Sequence, residues 1–224
     1  MTSPPPKVSC DPMLTVLIDY ESGNLHSAHK AFERMAREEN AGEVLVSGRA
    51  EDVARADRIV LPGDGAFPHC RAELSSKSGL EAALREAVED KARPFMGICI
   101  GMQMMASKGL EHTETTGFGW VPGTVRPITP AAGQKVPHMG WNDLVLNGAA
   151  HPVLEGIASG DHAYFVHSYQ VEVDDPAQRL ATVDYGAPVT AIIGRDNMIG
   201  AQFHPEKSQK AGLRMIANFL KWAP

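Results

Sequence analysis

Pro94-Phe-Met-Gly-Ile-Cys-Ile-Gly-Met-Gln103 is the stretch around which the chain is organised. Phe95, Met96 and Ile98 form a short apolar run that passes through Gly97 and Gly101 into Met102, Gln103, Met104, Met105 and Ala106, all good helix formers. This order predicts a buried strand, a sharp turn and the start of a helix. Cys99 falls at the turn, where bulkier neighbours than glycine would block both a strained backbone and an approaching substrate. Its sulfur would lie near a helix N-terminus, which favours the nucleophilic thiolate. The arrangement is the cysteine counterpart of the serine nucleophile elbow. A cysteine in an apolar run is otherwise an inert core residue, so a catalytic reading of Cys99 needs support from elsewhere in the chain.

Outward from the elbow, strands and helices alternate. Met13 to Asp19 reads as a strand, Tyr20 to Asn24 as a turn, and Leu25 to Arg37 as a helix with Leu25, Ala28, Phe32 and Met35 on one face. Glu43 to Val46 is a second strand, Glu51 to Arg55 a brief helix, and Arg58 to Leu61 a third strand closed by the glycine-rich loop Pro62-Gly-Asp-Gly-Ala-Phe67. Gly79 to Ala92 is an amphipathic helix leading into the Cys99 strand. This alternation predicts an α/β fold, an open and mostly parallel sheet flanked by helices. From Thr116 to about Asp196 glycines, prolines and short β-rich runs dominate, predicting a mixed or antiparallel half wrapped against the same sheet. Met198 to Phe203 is a last strand and Lys210 to Trp222 a terminal helix. Residues 1–12, with four prolines, read as a flexible tail, and 13–224 as a single domain.

Composition narrows the class. The 224 residues are 43% hydrophobic and 21% charged, ordinary for a globular chain able to bury a core. A net charge of -6 gives no electrostatic case for nucleic acid or an anionic membrane. Three scattered cysteines make neither a disulfide framework nor a paired metal spacing, which fits a reducing, cytoplasmic setting. The N-terminus lacks the apolar core of a signal peptide, and no run is long enough to span a membrane.

The supporting stretch is Gln202-Phe-His-Pro-Glu-Lys-Ser208. His204 and Glu206 follow an apolar strand, and period-2 alternation would put them on one face. Pro205 between them cannot join a ladder, which sets the pair at a strand end, where α/β sheets carry their sites. A thiol, a histidine to take and return its proton and a carboxylate to orient the imidazole compose a Cys99-His204-Glu206 triad. Oxyanion donors are available from the backbone N–H of Ile100 and from the Gly63-Asp64-Gly65 loop.

Gly97-Ile-Cys-Ile-Gly-Met-Gln103 together with His204-Pro-Glu206 resembles the class I glutamine amidotransferases, over nearly the whole chain. Ile18-Asp-Tyr-Glu-Ser-Gly-Asn-Leu25, Pro137-His-Met-Gly-Trp-Asn142 and Phe203-His-Pro-Glu-Lys-Ser208 narrow the resemblance to the glutaminase subunits of imidazole glycerol phosphate synthase, of histidine biosynthesis. The resemblance implies a flavodoxin-like amidotransferase fold and glutamine hydrolysis through a Cys99 thioester, with His204 as acid and base and Glu206 orienting it. It implies that Gln103, Glu111, Ser168 and Tyr169 lie against L-glutamine, with Gly63, Gly65 and Ile100 at the oxyanion. It also implies a heterodimer with a (β/α)8-barrel cyclase that receives ammonia through a channel, with Asn24, Trp141, Asn142 and Lys207 at or near the interface. No metal or organic cofactor is expected, since the histidines lack ligand spacing and no phosphate-binding glycine fingerprint is present.

Two positions depart from the family pattern. Glu21 stands where a glycine is common, and Asp64 where the oxyanion loop often has an apolar residue. The rival readings are an amidotransferase serving another synthase, against which Pro137 to Asn142 speaks, a cysteine peptidase on a similar elbow, and a silent binding subunit, against which the intact triad set speaks.

Overall fold

The computed structural model describes residues 12–21, 25–148 and 150–224. In chain order the elements are β1 (Leu14–Ile18), α1 (Leu25–Glu38), β2 (Glu43–Ser47), α2 (Ala50–Arg55), β3 (Arg58–Gly63), α3 (Phe67–Ser76), α4 (Leu80–Arg85), β4 (Phe95–Cys99) and α5 (Ile100–Gln103). They continue as β5 (Lys108–Gly109), β6 (Thr115–Thr116), β7 (Gly123–Pro127), β8 (His138–Asp143), β9 (Val145–Leu146), β10 (His162–His167), β11 (Tyr169–Val173), β12 (Arg179–Asp184), β13 (Pro188–Arg195), β14 (Met198–Ala201) and α6 (Gln209–Lys221).

Eight strands form the central sheet in the order β2-β1-β3-β4-β14-β13-β12-β9. The first five run parallel, and β13, β12 and β9 extend the sheet antiparallel. Val16, Leu17, Ile18, Ile59, Val60 and Leu61 are fully buried, as continuous apolar strands must be when helices cover both faces. The chain steps from β1 outward to β2 and then back across to β3, so right-handed crossovers put α1 and α2 on opposite faces. α6 joins α1, with Phe32 and Phe219 edge to face at 6.4 Å, and α2 packs with α4 and α4 with α3. The reversal of direction beside β1 and β3 is a topological switch point, and the carboxyl ends of the parallel strands there form the crevice in which such folds bind ligands.

The β-rich half contributes more than an extension of the sheet. β10 and β8 form a separate antiparallel pair, and β11-β7-β5-β6 a third sheet.

Three local expectations change. The helix after Cys99 is a single turn, because the carbonyls of Met104, Met105 and Ala106 accept from Phe118, Val121 and Gly119 rather than from the next helical turn. The helix expected from Gly79 to Ala92 is α-helical only to Arg85 and continues as a π-helical turn over Glu86–Asp90, closed by Lys91 N–H to Glu86 O. α3 has no counterpart in the sequence reading, since only Phe67, Cys70 and Leu74 of its residues are buried. Pro68 in its first turn is compatible with a helix start.

Candidate active site

Cys99 ends β4 with φ 54° and ψ -110°, a left-handed conformation for a residue carrying a Cβ, and it is 4% exposed. The turn is possible because Gly97 and Gly101, two residues to either side, lack side chains. A Cβ on Gly101 would lie 1.8 Å from the Leu61 carbonyl oxygen, and one on Gly97 would lie 2.6 Å from that of Gly101. Such strain at a nucleophile persists only where the surroundings enforce it. With α5 just four residues long, the helix-dipole support expected for the thiolate shrinks to one turn.

β14 lies beside β4 with Ala201 opposite Ile98, so the residues following Ala201 arrive next to Cys99. The strand stops there, earlier than the expected Phe203, and Pro205–Lys207 form a 3-10 turn. That turn, rather than strand alternation, brings Glu206 Oε1 to 2.9 Å from His204 Nδ1. Ser208 braces it: its hydroxyl donates to the His204 carbonyl at 2.7 Å and accepts from Tyr164 N–H at 2.9 Å. The His204 and Glu206 side chains are 8% and 5% exposed. Burial works against charge on His204, but the neighbouring Cys99 sulfur and Glu206 carboxylate outweigh it and raise the ring to about 10. His204 Nε2 and Glu206 Oε2 are buried without a hydrogen-bond partner. The arrangement sets a proton-carrying imidazole beside the sulfur.

A cavity of about 200 Å³ opens over Cys99, walled by Ile100, Gln103, Glu111, Ser168, Tyr169 and the Asp64-Gly65 loop. Six sequence candidates therefore converge on it with Cys99: Gly65, Ile100, Gln103, Glu111, Ser168 and Tyr169. Gln103 is buried and its Oε1 has no partner. Glu111 accepts from Phe67 N–H at 2.7 Å. Gly63 is paired in register with Cys99 at the end of β3, and a Cβ there would lie 2.7 Å from the Tyr20 hydroxyl oxygen. Gly65 has φ +118°, a backbone open to glycine.

A smaller hollow of about 20 Å³, room for about one water, lies between Leu25, Gly63, Ile98, His204 and Lys207. Of the interface candidates, Lys207 is exposed and Trp141 is 48% exposed on β8, edge to face with Tyr164. Asn142 turns the other way and donates to the Asp184 carbonyl at 2.9 Å. Asn24 lies outside the described residues, as does most of the 1–12 tail. The departure at Glu21 is accommodated: its φ is 69°, where glycine would be unstrained, and its carboxylate pairs with Lys77, which lowers it from the usual range. Asp64 is exposed, and its carbonyl accepts a weak bond from the buried Cys70 thiol at 3.5 Å.

Sequence reasoning missed His138, His167 and Gln202. All three are buried and linked to the site by hydrogen bonds. His138 and Gln202 stand inside quoted motifs, and the signal was a buried polar residue, at the start of a strand for His138 and just past the end of one for Gln202. Among the described residues, no group of three or more His, Cys, Asp or Glu is arranged to hold a metal ion, and no helix is long and apolar enough to cross a membrane.

Residues 16–222 match the family model for glutamine amidotransferase class-I. The chain is 68% identical to imidazole glycerol phosphate synthase subunit HisH of Cereibacter sphaeroides, over 95% of this chain and 100% of that one. It is 67% identical to the HisH subunit of Ruegeria pomeroyi and 55% to that of Rhodospirillum rubrum, at the same coverages. Among solved structures, a glutamine amidotransferase superposes with TM-score 0.70 at 19% identity, over 92% of this chain and 99% of that one. The glutaminase domain of Trypanosoma brucei CTPS with bound acivicin gives 0.63 at 14% identity, over 95% of each chain. The chain is an enzyme of the class I glutamine amidotransferases and belongs, within them, to the HisH glutaminase subunits of imidazole glycerol phosphate synthase.

Proposed function

We propose that the chain hydrolyses L-glutamine to glutamate and ammonia through a thioester on Cys99, and passes the ammonia to a (β/α)8-barrel cyclase subunit. That partner would combine it with a phosphoribulosyl-formimino-carboxamide ribotide to give imidazole glycerol phosphate and aminoimidazole carboxamide ribotide in histidine biosynthesis. The reduced thiol of Cys99 suits the cytoplasm.

The observation that carries this reading is the seating of Cys99, with its strained backbone, in the floor of a cavity also lined by Gln103 and Glu111. The Cys99 thiolate attacks the side-chain amide carbon, and backbone N–H groups of Ile100 and the Gly63–Gly65 loop receive the oxyanion. The His204 imidazolium protonates the departing nitrogen, and ammonia leaves as the C–N bond breaks. Neutral His204 then takes a proton from water, whose hydroxyl displaces the sulfur and releases glutamate. Glu206, bonded to Nδ1, holds the ring in the tautomer that presents Nε2 to these transfers. Gln103 Oε1 and the Glu111 carboxylate are acceptors suited to the glutamine α-ammonium group. Ser168 and Tyr169 would line its backbone end.

Lys207, exposed where it lines the small hollow with His204, and Trp141, exposed on the β8–β10 strand pair, suit a covering partner. Asn142 would act there through the strand it braces, and Asn24 belongs to the segment beside it in sequence. The test is a glutaminase assay with and without the cyclase, joined to mass spectrometry after incubation with 6-diazo-5-oxo-norleucine. A single adduct on Cys99, and glutamate release that rises strongly with the cyclase, are expected. Full activity of the isolated chain, or no adduct in a formed complex, would overturn the reading.

A further inference from the structure

The polar groups behind Cys99 form one continuous hydrogen-bonded chain, and its directions are set by its ends. The Tyr169 carbonyl can only accept, so His167 Nδ1, 2.8 Å away, carries a proton and the Nε2 of the neutral ring is bare. His138 Nδ1, 3.0 Å from that Nε2, therefore donates to it. This leaves His138 Nε2 to accept from Asn142 Nδ2 at 3.2 Å. Asn142 is oriented independently, because its Oδ1 accepts from Asp143 N–H at 2.8 Å and its Nδ2 also donates to the Asp184 carbonyl.

Inward from Tyr169 the same carbonyl accepts from Gln103 Nε2 at 3.3 Å, which also donates to Gln202 Oε1 at 3.1 Å. The Gln202 amide is then turned so that its Nε2 donates to Cys99 Sγ at 3.7 Å. Reversing either glutamine would set like atoms against each other. Gln202 is wholly buried, so water does not compete for this donor, and a bond to an anionic acceptor is stronger in such surroundings.

We propose that Gln202 is a further catalytic residue, whose side-chain N–H stabilises the Cys99 thiolate, and that Asn142, His138, His167 and Gln103 are a relay that holds it in place from the outer strand β8. The proposal rests on Cys99 being the nucleophile. His138 is clamped between the rings of Phe165 and Tyr185, at 4.9 and 4.1 Å. Burial lowers the His138 ring and, with further effects of its neighbours, brings His167 to about 4, so the relay is uncharged at neutral pH. β8 alternates: His138 and Asn142 enter the relay, while Met139 and Trp141 are 63% and 48% exposed on its other face. A partner pressing on that outer face would move the strand that starts the relay, and the displacement would reach the sulfur through six hydrogen-bonded groups, the Tyr169 carbonyl among them.

The experiment is the pH profile of Cys99 alkylation by iodoacetamide in the full chain, with adducts assigned to Cys99, Cys70 or Cys10 by peptide mass spectrometry. The reagent needs no glutamine, so the profile reports on the sulfur whether or not glutamine is the substrate. Gln202→Leu, with Gln202→Met as the alternative should the first not fold, is expected to move the midpoint up by about one pH unit. His138→Phe keeps ring stacking but cuts the relay, and should move the midpoint in the same direction. His138→Gln, which can donate at one end and accept at the other, should move it back towards the native value. Coincident profiles for the native chain and a folded Gln202 variant would overturn the catalytic assignment. Identical profiles for His138→Phe and His138→Gln would overturn the relay.

Discussion

Glu206 Oε1 lies 2.9 Å from His204 Nδ1, although the strand leading to them ends at Ala201 and Glu206 sits within the 3-10 turn that begins after His204. Both side chains are almost entirely shielded from solvent, and the ring nitrogen on the far side has no partner. The carboxylate thus fixes which nitrogen carries the proton and leaves the other for chemistry. Glu206→Gln keeps the volume but loses the charge, and kcat for glutamine should fall about a thousandfold with KM little changed. Steady-state kinetics in the presence of the cyclase checks this, and a fall of less than about tenfold would mean that Glu206 does not orient the base.

Buried histidines give the fold opposite pH sensitivities on its two sides. Burial, with its neighbours' effects, puts His167 at about 4 against an ordinary 6.5. Its neutral ring therefore contributes stability in full above pH 6.5, and this is lost as pH falls towards 4. The full loss is on the order of 3 kcal/mol. His204 has the reverse sign: raised to about 10, its contribution is full below pH 6.5 and is lost as pH rises towards 10. Calorimetric melting from pH 4 to 10 should show a maximum near neutrality. His204→Asn should flatten the alkaline limb only, and a melting temperature constant between pH 4.5 and 6.5 would contradict the assignment for His167.

Gly101 is required by space rather than by backbone angle. Its Cβ would lie 1.8 Å from the Leu61 carbonyl oxygen. Gly101→Ala should therefore cost more than roughly 3 kcal/mol, by forcing β3 away from the elbow. Gly119, at φ +74° with nothing within 4 Å of where a Cβ would stand, should cost only about 1 kcal/mol on the same substitution. Urea unfolding of the two variants separates these cases, and equal losses would mean that the elbow relaxes freely.

Trp141 is 48% exposed and touches Tyr164 only edge to face, at 5.8 Å. Such a ring adds little to the stability of the chain but can anchor a partner. Trp141→Ala should raise the Kd for the cyclase by at least about tenfold, measured by titration calorimetry. An unchanged Kd would place the interface elsewhere.

The elements were legible where local pattern determines them. The apolar runs of β1, β3 and β4 are read without reference to any other segment, because strands buried on both faces have no polar alternation to disguise. Cys99 has a glycine two residues to either side, and His204 and Glu206 flank a proline, so each chemical group carried its own local mark. α3 did not, because three buried residues in ten leave a weak periodic signal.

What the sequence determined by itself, then, was the α/β order of the chain, the elbow, and the residue types able to do the chemistry. Short-range sterics and hydrophobic spacing suffice for these. Tertiary structure alone decided how they meet. The backbone of Phe118–Val121 takes the carbonyls that would have prolonged α5. The register of β14 against β4 carries Gln202 to the sulfur, and the pairing of β8 with β10 sets His138 opposite His167. Each is a hydrogen-bonding choice between segments far apart in the chain, and no local pattern in either segment names its partner.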